Sequence, residues 1–354
     1  MTQKNNLDKS SVFSVIVTYG ERFHLLRQVV DSCIREEIGK IIIVDNHSSG
    51  KAELEKLEKK LPDKLKVIYL NKNIGSACGF KTGIEVARAD EKCQYLLLLD
   101  DDNVLSSPGS IEMALYLSKY FRKINTCFAL SFFRTAQLDK WHTIKFGLTK
   151  NLFNNFVWTD FKRYFSRKWI LYRYLKKKDV RTKDTIYPVV KIEFAPYGGL
   201  FFEKTLLDII GLPNVDFVLY ADDTEFTYRI TQSGGALYLC ADLKIDDIEL
   251  EVKSANSGSI YYFYKDDASE AAIFYSVRNR TFLGERFITN RFIYTINLVV
   301  WFIYYVLFLY VKNIRKISFK LYKRRAKMIW KAFCDGRAKK LGQAFFEDQE
   351  LKLP

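Results

Sequence analysis

Three adjacent carboxylates, Asp100, Asp101 and Asp102, end the run of four leucines in YLLLLDDDNVL at residues 95–105. Like charges packed this closely repel, so their place at the end of a buried strand calls for a compensating cation or a strong structural reason. Asp100 and Asp102 are two residues apart, and an extended segment puts them on one face. Two carboxylates on one face are the hard oxygen donors that Mg²⁺ or Mn²⁺ takes, together with waters and a diphosphate. Capping the next helix, in NVLSSPGSIEMAL, needs one short polar residue; Ser106 or Ser107 would serve, with Pro108 in the first turn. A second acidic group, Asp222, Asp223 and Glu225 in YADDTEF, offers a general base, or simply a cap for the helix TEFTYRITQS. Arg229, four residues after Glu225, is placed to pair with it.

The elements that must hold these groups follow from periodicity. FSVIVTYG (13–20), KIIIVDN (40–46), LKVIYLN (65–71) and QYLLLLDDD (94–102) are apolar runs that read as strands. Between them lie ERFHLLRQVVDSCIRE, with Phe23, Leu26, Val29, Val30 and Cys33 at helical spacing, then KAELEKLEKKL and GFKTGIEVARA. Strands alternating with helices predict βαβ units and a parallel sheet covered on both faces. Each strand ends in polar residues: Thr18 and Tyr19, Asp45 and Asn46, Asn71 to Asn73, and the aspartates. Ligands of such sheets bind outside the carboxyl ends of the strands. YPVVKIEFAPYGGLFF is strand-like around Gly198 and Gly199, which alone would suit a hairpin turn, and a later helix stops at Gly234.

The chain of 354 residues is 48% hydrophobic and 16% aromatic, which excludes a disordered or collagen-like protein. Its six cysteines form no CxxC pair and suit reduced thiols better than a disulfide framework or zinc site. The polar start MTQKNNLDKSS predicts no signal peptide. The net charge of +15 is concentrated in two segments, 151–184 with ten Lys/Arg against three Asp, and 312–354 with thirteen against four Asp/Glu. No nucleic-acid motif accompanies them, so an anionic membrane surface or phosphate-bearing acceptor is the expected partner, and no nucleic acid.

Residues 292–311, FIYTINLVVWFIYYVLFLYV, carry no charge over twenty positions. That length could cross a bilayer, but basic residues flank both ends and eight aromatics favour the headgroup boundary. The expectation is a segment embedded in the membrane without crossing it, with a span or a buried helix as the alternatives.

Taken in order, VIVTYG, IIIVDN, NKNIGSACGFKTGI, LLLLDDDNVL, YGGLFF and YADDTEFTYRI resemble an inverting family-2 glycosyltransferase of GT-A fold over about residues 12–280. FYSVRNRTFL and KAFCDGRAKKLG are similar to the C-terminal region of bacterial polysaccharide members, in feel the galactofuranosyl- and rhamnosyltransferases. The fold implied is α/β: a Rossmann-like, mostly parallel sheet with flanking helices over 1–285, a variable acceptor- or membrane-facing insert at 130–190, and a helical membrane-associating region over 286–354.

The resemblance implies that Thr18 and Tyr19 line a nucleotide pocket and that Asp45 takes a base or ribose hydrogen bond. It brings Asn73, Gly75 and Gly79 to the nucleotide, where glycines before a helix N-terminus also free N–H groups for an anion. Asp100 and Asp102 would hold Mn²⁺ or Mg²⁺, with Asp101 near the ribose. Asp223 stands at the family's base position, with Asp222 as the alternative, while Gly198, Gly199 and Glu225 fall on the acceptor side. Many relatives place a metal-binding histidine after a G-x-x-x-Y segment; this chain has GGALYLCADLKIDDIELE there, which makes Asp247 the candidate third ligand. His47 reads as a loop residue.

The function implied is transfer of a hexose, galactofuranose favoured, from a UDP-sugar onto a polyprenyl-diphosphate-linked surface polysaccharide or O-antigen glycan. A dTDP-rhamnose-dependent enzyme is the runner-up, and an inactive nucleotide-binding membrane scaffold is the reading from another class. The expected location is the cytoplasmic face of the inner membrane, peripheral or monotopic. Absence of a Q-x-x-R-W motif argues for adding one or a few sugars per encounter.

Overall fold

The computed structural model describes residues 8–147, 154–156, 187–249, 268–312, 318–347 and 349–353. The chain divides into two units, the first from residues 1–149, 183–214 and 223–252, the second from 150–182, 215–222 and 253–354.

In the first unit the Val, Ile and Leu runs become β1 (Val12–Gly20), β2 (Lys40–Ser48), β3 (Leu65–Tyr69) and β4 (Tyr95–Asp100), joined by α1 (Phe23–Arg35), α2 (Lys51–Lys60) and α3 (Ser76–Ala89). These strands are parallel, in the order β3-β2-β1-β4. Alternation along β4 sends Leu97 and Leu99 into one core and Leu96 and Leu98 into the other, on the opposite face of the sheet. All four are fully buried, each worth roughly 1.5–3 kcal/mol of transfer free energy. The stripe Leu26, Val29, Val30 and Cys33 carries α1 onto the first of these cores.

Beyond β4 the sheet turns mixed. β8 (Leu200–Glu203) lies antiparallel to β4, followed by β6 (Phe128–Arg134), β9 (Ala236–Asp247) and the short β5 (Asn103–Leu105), with β7 (Val189–Ile192) also beside β9. Strands β7 and β8 therefore pair with different partners, and Gly198–Gly199 is not the turn of a hairpin. The register of β5 on β9 sets Asn103 opposite Asp247, which carries a distant acidic segment back to the aspartate triplet. Helices α4 (Ser110–Arg122), α5 (Leu138–Phe146), α6 (Leu206–Ile210) and α7 (Asp222–Gln232) complete the order. The cap expected from Ser106 or Ser107 is absent from α4, because the helix begins later, after Gly109 at φ +87°. Its first N–H groups are met instead by Glu36, whose carboxylate accepts from Gly109 and Ile111 at 3.0 Å each.

The second unit is helical, with α8 (Glu270–Phe287), α9 (Arg291–Trp301) running through π-helical Phe302–Phe308 into α10 (Leu309–Lys312), and α11 (Phe319–Arg337), followed by the short strands β10 (Phe345–Phe346) and β11 (Gln349–Glu350). Phe156 sits edge-on to Tyr294, Trp301 and Phe333 at its centre. The uncharged segment from 292 is thus two-sided: Tyr294, Asn297 and Trp301 face inward, while Phe292, Ile303, Leu307 and Val311 are exposed. None of the described helices is long and apolar enough to cross a membrane. Apart from 154–156, the basic stretch 151–184 and most of the insert predicted over 130–190 lie outside the described residues.

Candidate active site

The carboxyl ends of β1, β2 and β4 bring Thr18, Asp45 and the aspartate triplet to one edge of the first unit. The three aspartates, adjacent in sequence, have three different environments. Asp101 is buried as a strut. It accepts hydrogen bonds from Thr18 Oγ1 at 2.8 Å and Arg22 Nε at 2.8 and 2.9 Å, and pairs with Arg22 Nη2 at 2.8 Å. With its oxygens so engaged, Asp101 anchors Arg22 rather than presenting itself to a ribose. Arg22 in turn reaches Glu249 at 2.8 Å and Asp102 at 3.6 Å, and its guanidinium lies 5.4 Å from the half-exposed ring of Tyr19.

Asp100 and Asp102 are the pair left to a ligand. Withdrawal from water pushes Asp100 up to about 6 against the pull of Arg134, with Asp101, Asp247 and Asp223 adding repulsion. Burial likewise pushes Asp102 up to about 6, with Asp100 as the next cause. Two neighbouring carboxylates that burial holds back from ionising are a site that a divalent cation would relieve, so this donor set fits Mg²⁺ or Mn²⁺ with waters completing the shell.

Asp247 has another use. Fully buried, it is clasped by Arg134, with Nε at 2.9 and 3.0 Å and Nη2 at 2.5 Å, and by Asn103 Nδ2 at 2.8 Å and Gln137 Nε2 at 3.3 Å. Arg134 also reaches Asp100 at 3.4 Å, so a guanidinium bridges the carboxylate expected as a third ligand and one of the first two. No group of three His, Cys, Asp or Glu that could hold a metal occurs among the described residues. Arg134 escaped the sequence reading because nothing in FALSFFRTAQ marks it; only the β6–β9 pairing delivers it here.

Asp45 is buried, and its Oδ1 accepts from Ser48 N–H at 2.7 Å, within the last residues of β2. Its neighbour Asn46, marked in the sequence only as a polar strand end, holds the next loop. Asn46 Nδ2 donates to Asn73 Oδ1 at 2.9 Å and to the Gly75 carbonyl at 3.1 Å, while its Oδ1 accepts from Ile74 N–H at 2.9 Å. Asn46 and Asn73 thus staple the loop that enters α3, where Gly75 at φ +88° takes a conformation open to glycine. Gly79 serves the opposite side of the helix: a Cβ there would meet Val17 at 2.8 Å, so the residue lets α3 lie close on the sheet rather than close on a ligand. His47 is exposed at φ +65° and lies near the end of β2, not in a loop as expected.

Gly198 lies against the acidic centre. A Cβ would collide with Asn103 Oδ1 and stand 2.6 Å from Asp100 Oδ2 and 2.9 Å from Arg134 Nη1. Gly199, at φ +85°, is embedded in the sheet, donating to the Leu98 carbonyl and accepting from Phe132 N–H, both at 2.8 Å. Gly198→Ala should therefore cost about 1–3 kcal/mol of stability, the usual range for overpacking, and shift the Asp100 carboxylate. Urea unfolding and turnover per folded enzyme measure the two effects.

In the acidic group that opens α7, burial separates the roles. Asp222 is 3% and Glu225 4% exposed, whereas Asp223 is only half-buried. Glu225 pairs with Arg229 at 3.1 Å, as its spacing predicts, and this buried pair takes it away from an acceptor. Asp223 Oδ1 accepts from Thr224 N–H at 2.6 Å, and its charge is felt at Asp100.

Residues 14–186 match the family model of glycosyl transferase family 2. The mixed α/β sheet with its flanking helices is consistent with the GT-A architecture of that family. Similar solved structures include GalNAc-T7 with UDP, GalNAc and Mn²⁺, at 15% identity and TM-score 0.46, covering 67% of this chain and 43% of that one. Staphylococcus aureus TarS 1–349 is similar at 14% identity and TM-score 0.45, covering 93% of this chain and 82% of that one. Its complex with UDP-GlcNAc gives 14% and 0.44, with 96% and 95% covered. The chain thus spans less than half the length of the GalNAc-T7 chain. No curated protein matches the sequence.

Proposed function

We propose that the chain is an inverting glycosyltransferase that moves a hexose from a nucleoside-diphosphate sugar to a hydroxyl of a lipid-linked glycan. One observation supports the reading: the half-buried carboxylate Asp223 is near enough to Asp100 to oppose its ionisation, which fits a base working beside a cation site. Asp100 and Asp102 would hold a divalent ion, which when bound neutralises charge on the departing diphosphate. Asp223 takes the proton from the acceptor hydroxyl as its oxygen bonds to the anomeric carbon and the bond to the diphosphate breaks, inverting that carbon. Asp101, through Arg22, and Asn46 with Asn73 fix the loops that border the nucleotide side. UDP-galactofuranose is the favoured donor, as the resemblance to polysaccharide transferases implies, with a polyprenyl-diphosphate-linked glycan as acceptor.

We place the enzyme on the cytoplasmic face of the inner membrane. The exposed row Phe292, Ile303, Leu307 and Val311, together with exposed Lys320, Lys323 and Lys327, supports contact with anionic lipid. Each Lys or Arg near such a surface adds about 1 kcal/mol.

A panel of UDP- and dTDP-sugars incubated with the protein, Mn²⁺ or Mg²⁺ and a polyprenyl-diphosphate glycan tests the reading. Turnover of one donor, abolished by EDTA and restored by metal, is the expected result. Turnover of dTDP-rhamnose would select the rhamnosyl reading, and binding of nucleotide with no turnover of any donor would make the protein a scaffold.

A further inference from the structure

Residues Asp216 to Ala221 lead directly into α7, and their backbone is unusual. Val218, Tyr220 and Ala221 have φ of 63°, 65° and 63°, and none is glycine. Left-handed conformations of residues with a side chain are disfavoured and persist only where the surroundings impose them.

In the second unit, Asn279 on α8 is fully buried, and its Nδ2 donates to the carbonyls of Phe217 at 2.8 Å, Leu219 at 2.9 Å and Tyr220 at 2.8 Å. Two hydrogens spread over three carbonyls hold the turn from one point. Arg278, 1% exposed, locks that amide by donating from Nε to Asn279 Oδ1 at 2.8 Å. Its Nη2 reaches the carbonyls of Asp216 at 3.2 Å and Phe217 at 3.3 Å, and its Nη1 donates to the Gly342 carbonyl at 2.5 Å. Gly342 closes the ring by donating its N–H to the Asp216 carbonyl at 2.7 Å. No ion pair of Arg278 with a carboxylate occurs among the described residues. A buried guanidinium spent on carbonyls is an expensive way to fill a core, where an apolar side chain would pack at less cost.

We propose that Arg278 and Asn279 are positioning residues for the reaction: they hold the 216–221 turn in its left-handed form and thereby aim the start of α7 and the Asp223 carboxylate. The inference rests on the reading of Asp223 as the base. The link is covalent, since Ala221 is followed at once by Asp222 and Asp223. Misaiming a reacting group by about 1 Å costs on the order of 100-fold in rate, far more than loss of a buried amide would cost in donor binding.

The test compares Asn279→Ala, Arg278→Lys and Asp223→Asn, using the donor selected by the panel. For Asn279→Ala, kcat per folded enzyme should fall about 100-fold with donor KM within about twofold, and amide exchange of residues 218–222 should accelerate about tenfold or more. Arg278→Lys, which keeps the charge but loses the Nε link, should fall in between, and it carries the test if Asn279→Ala does not fold. Adding Ala221→Gly to Asn279→Ala should restore about tenfold of kcat, because glycine takes φ near +63° unaided. A lowered unfolding midpoint with kcat and exchange unchanged would overturn the proposal and leave the pair merely structural. Should Asp223→Asn keep full turnover, the base reading itself fails; loss there beside full turnover in Asn279→Ala sinks the clamp alone.

Discussion

Replacing Asp223 by Asn is expected to lower turnover by about 10²–10⁴-fold, the range for loss of a positioned general base. Affinity for the nucleoside diphosphate should stay within about threefold, since the residue acts on the acceptor proton and its role appears in kcat. The substitution keeps the shape of the side chain and an acceptor for the Thr224 N–H, so the folded state should be preserved. The same change at the buried Asp222 or Glu225 is expected to act through stability, with turnover per folded molecule much less affected. Steady-state rates, a calorimetric binding curve and a urea titration on each variant separate these outcomes.

Truncation of Arg134 to Ala should be the most destabilising single change in the site. It would leave Asp247, fully buried, without its guanidinium, and breaking a buried pair from one side costs about 3–5 kcal/mol. Removing both charges with well-packed apolar residues, Arg134→Met with Asp247→Leu, should recover most of that loss, because neither charge is then stranded. Asp100 would still lose the neighbour that favours its ionised form, so activity should not return with stability. Chemical unfolding of the two variants, read beside their turnover, checks both statements.

Much of the fold could be read from the chain because its cause is local. The β-branched and leucine runs are bounded by polar residues, and the stripe Leu26, Val29, Val30 and Cys33 repeats at helical spacing; neither needs a distant partner to be seen. The acidic triplet was legible as a candidate site for the same reason, since repulsion among neighbours is visible in one line of sequence. Its internal division was not. Asp101 becomes a strut only because Thr18 and Arg22, about eighty residues earlier, are brought beside it by β1–β4 pairing. Asp247 pairs with Arg134 across 113 positions of sequence, and Glu36 caps α4 from more than seventy residues away. Gly79 shows the complementary limit: spacing marks a glycine before a helix, but not whether the space it leaves faces a ligand or, as here, Val17. The segment from 292 likewise displays its composition in sequence, while the inward turn of Tyr294, Asn297 and Trp301 belongs to tertiary packing.

Titration of Mn²⁺ into the protein with saturating UDP, followed by the loss of the free-ion paramagnetic resonance signal, bears most directly on the claim that Asp100 and Asp102 form a cation site for a diphosphate. One bound ion per chain is expected, weakened by about 100-fold or more in Asp100→Asn and in Asp102→Asn, beyond what loss of a supporting partner costs, and unaltered in Asp223→Asn. An isotherm that stays the same in both aspartate variants, with the proteins folded, would contradict it.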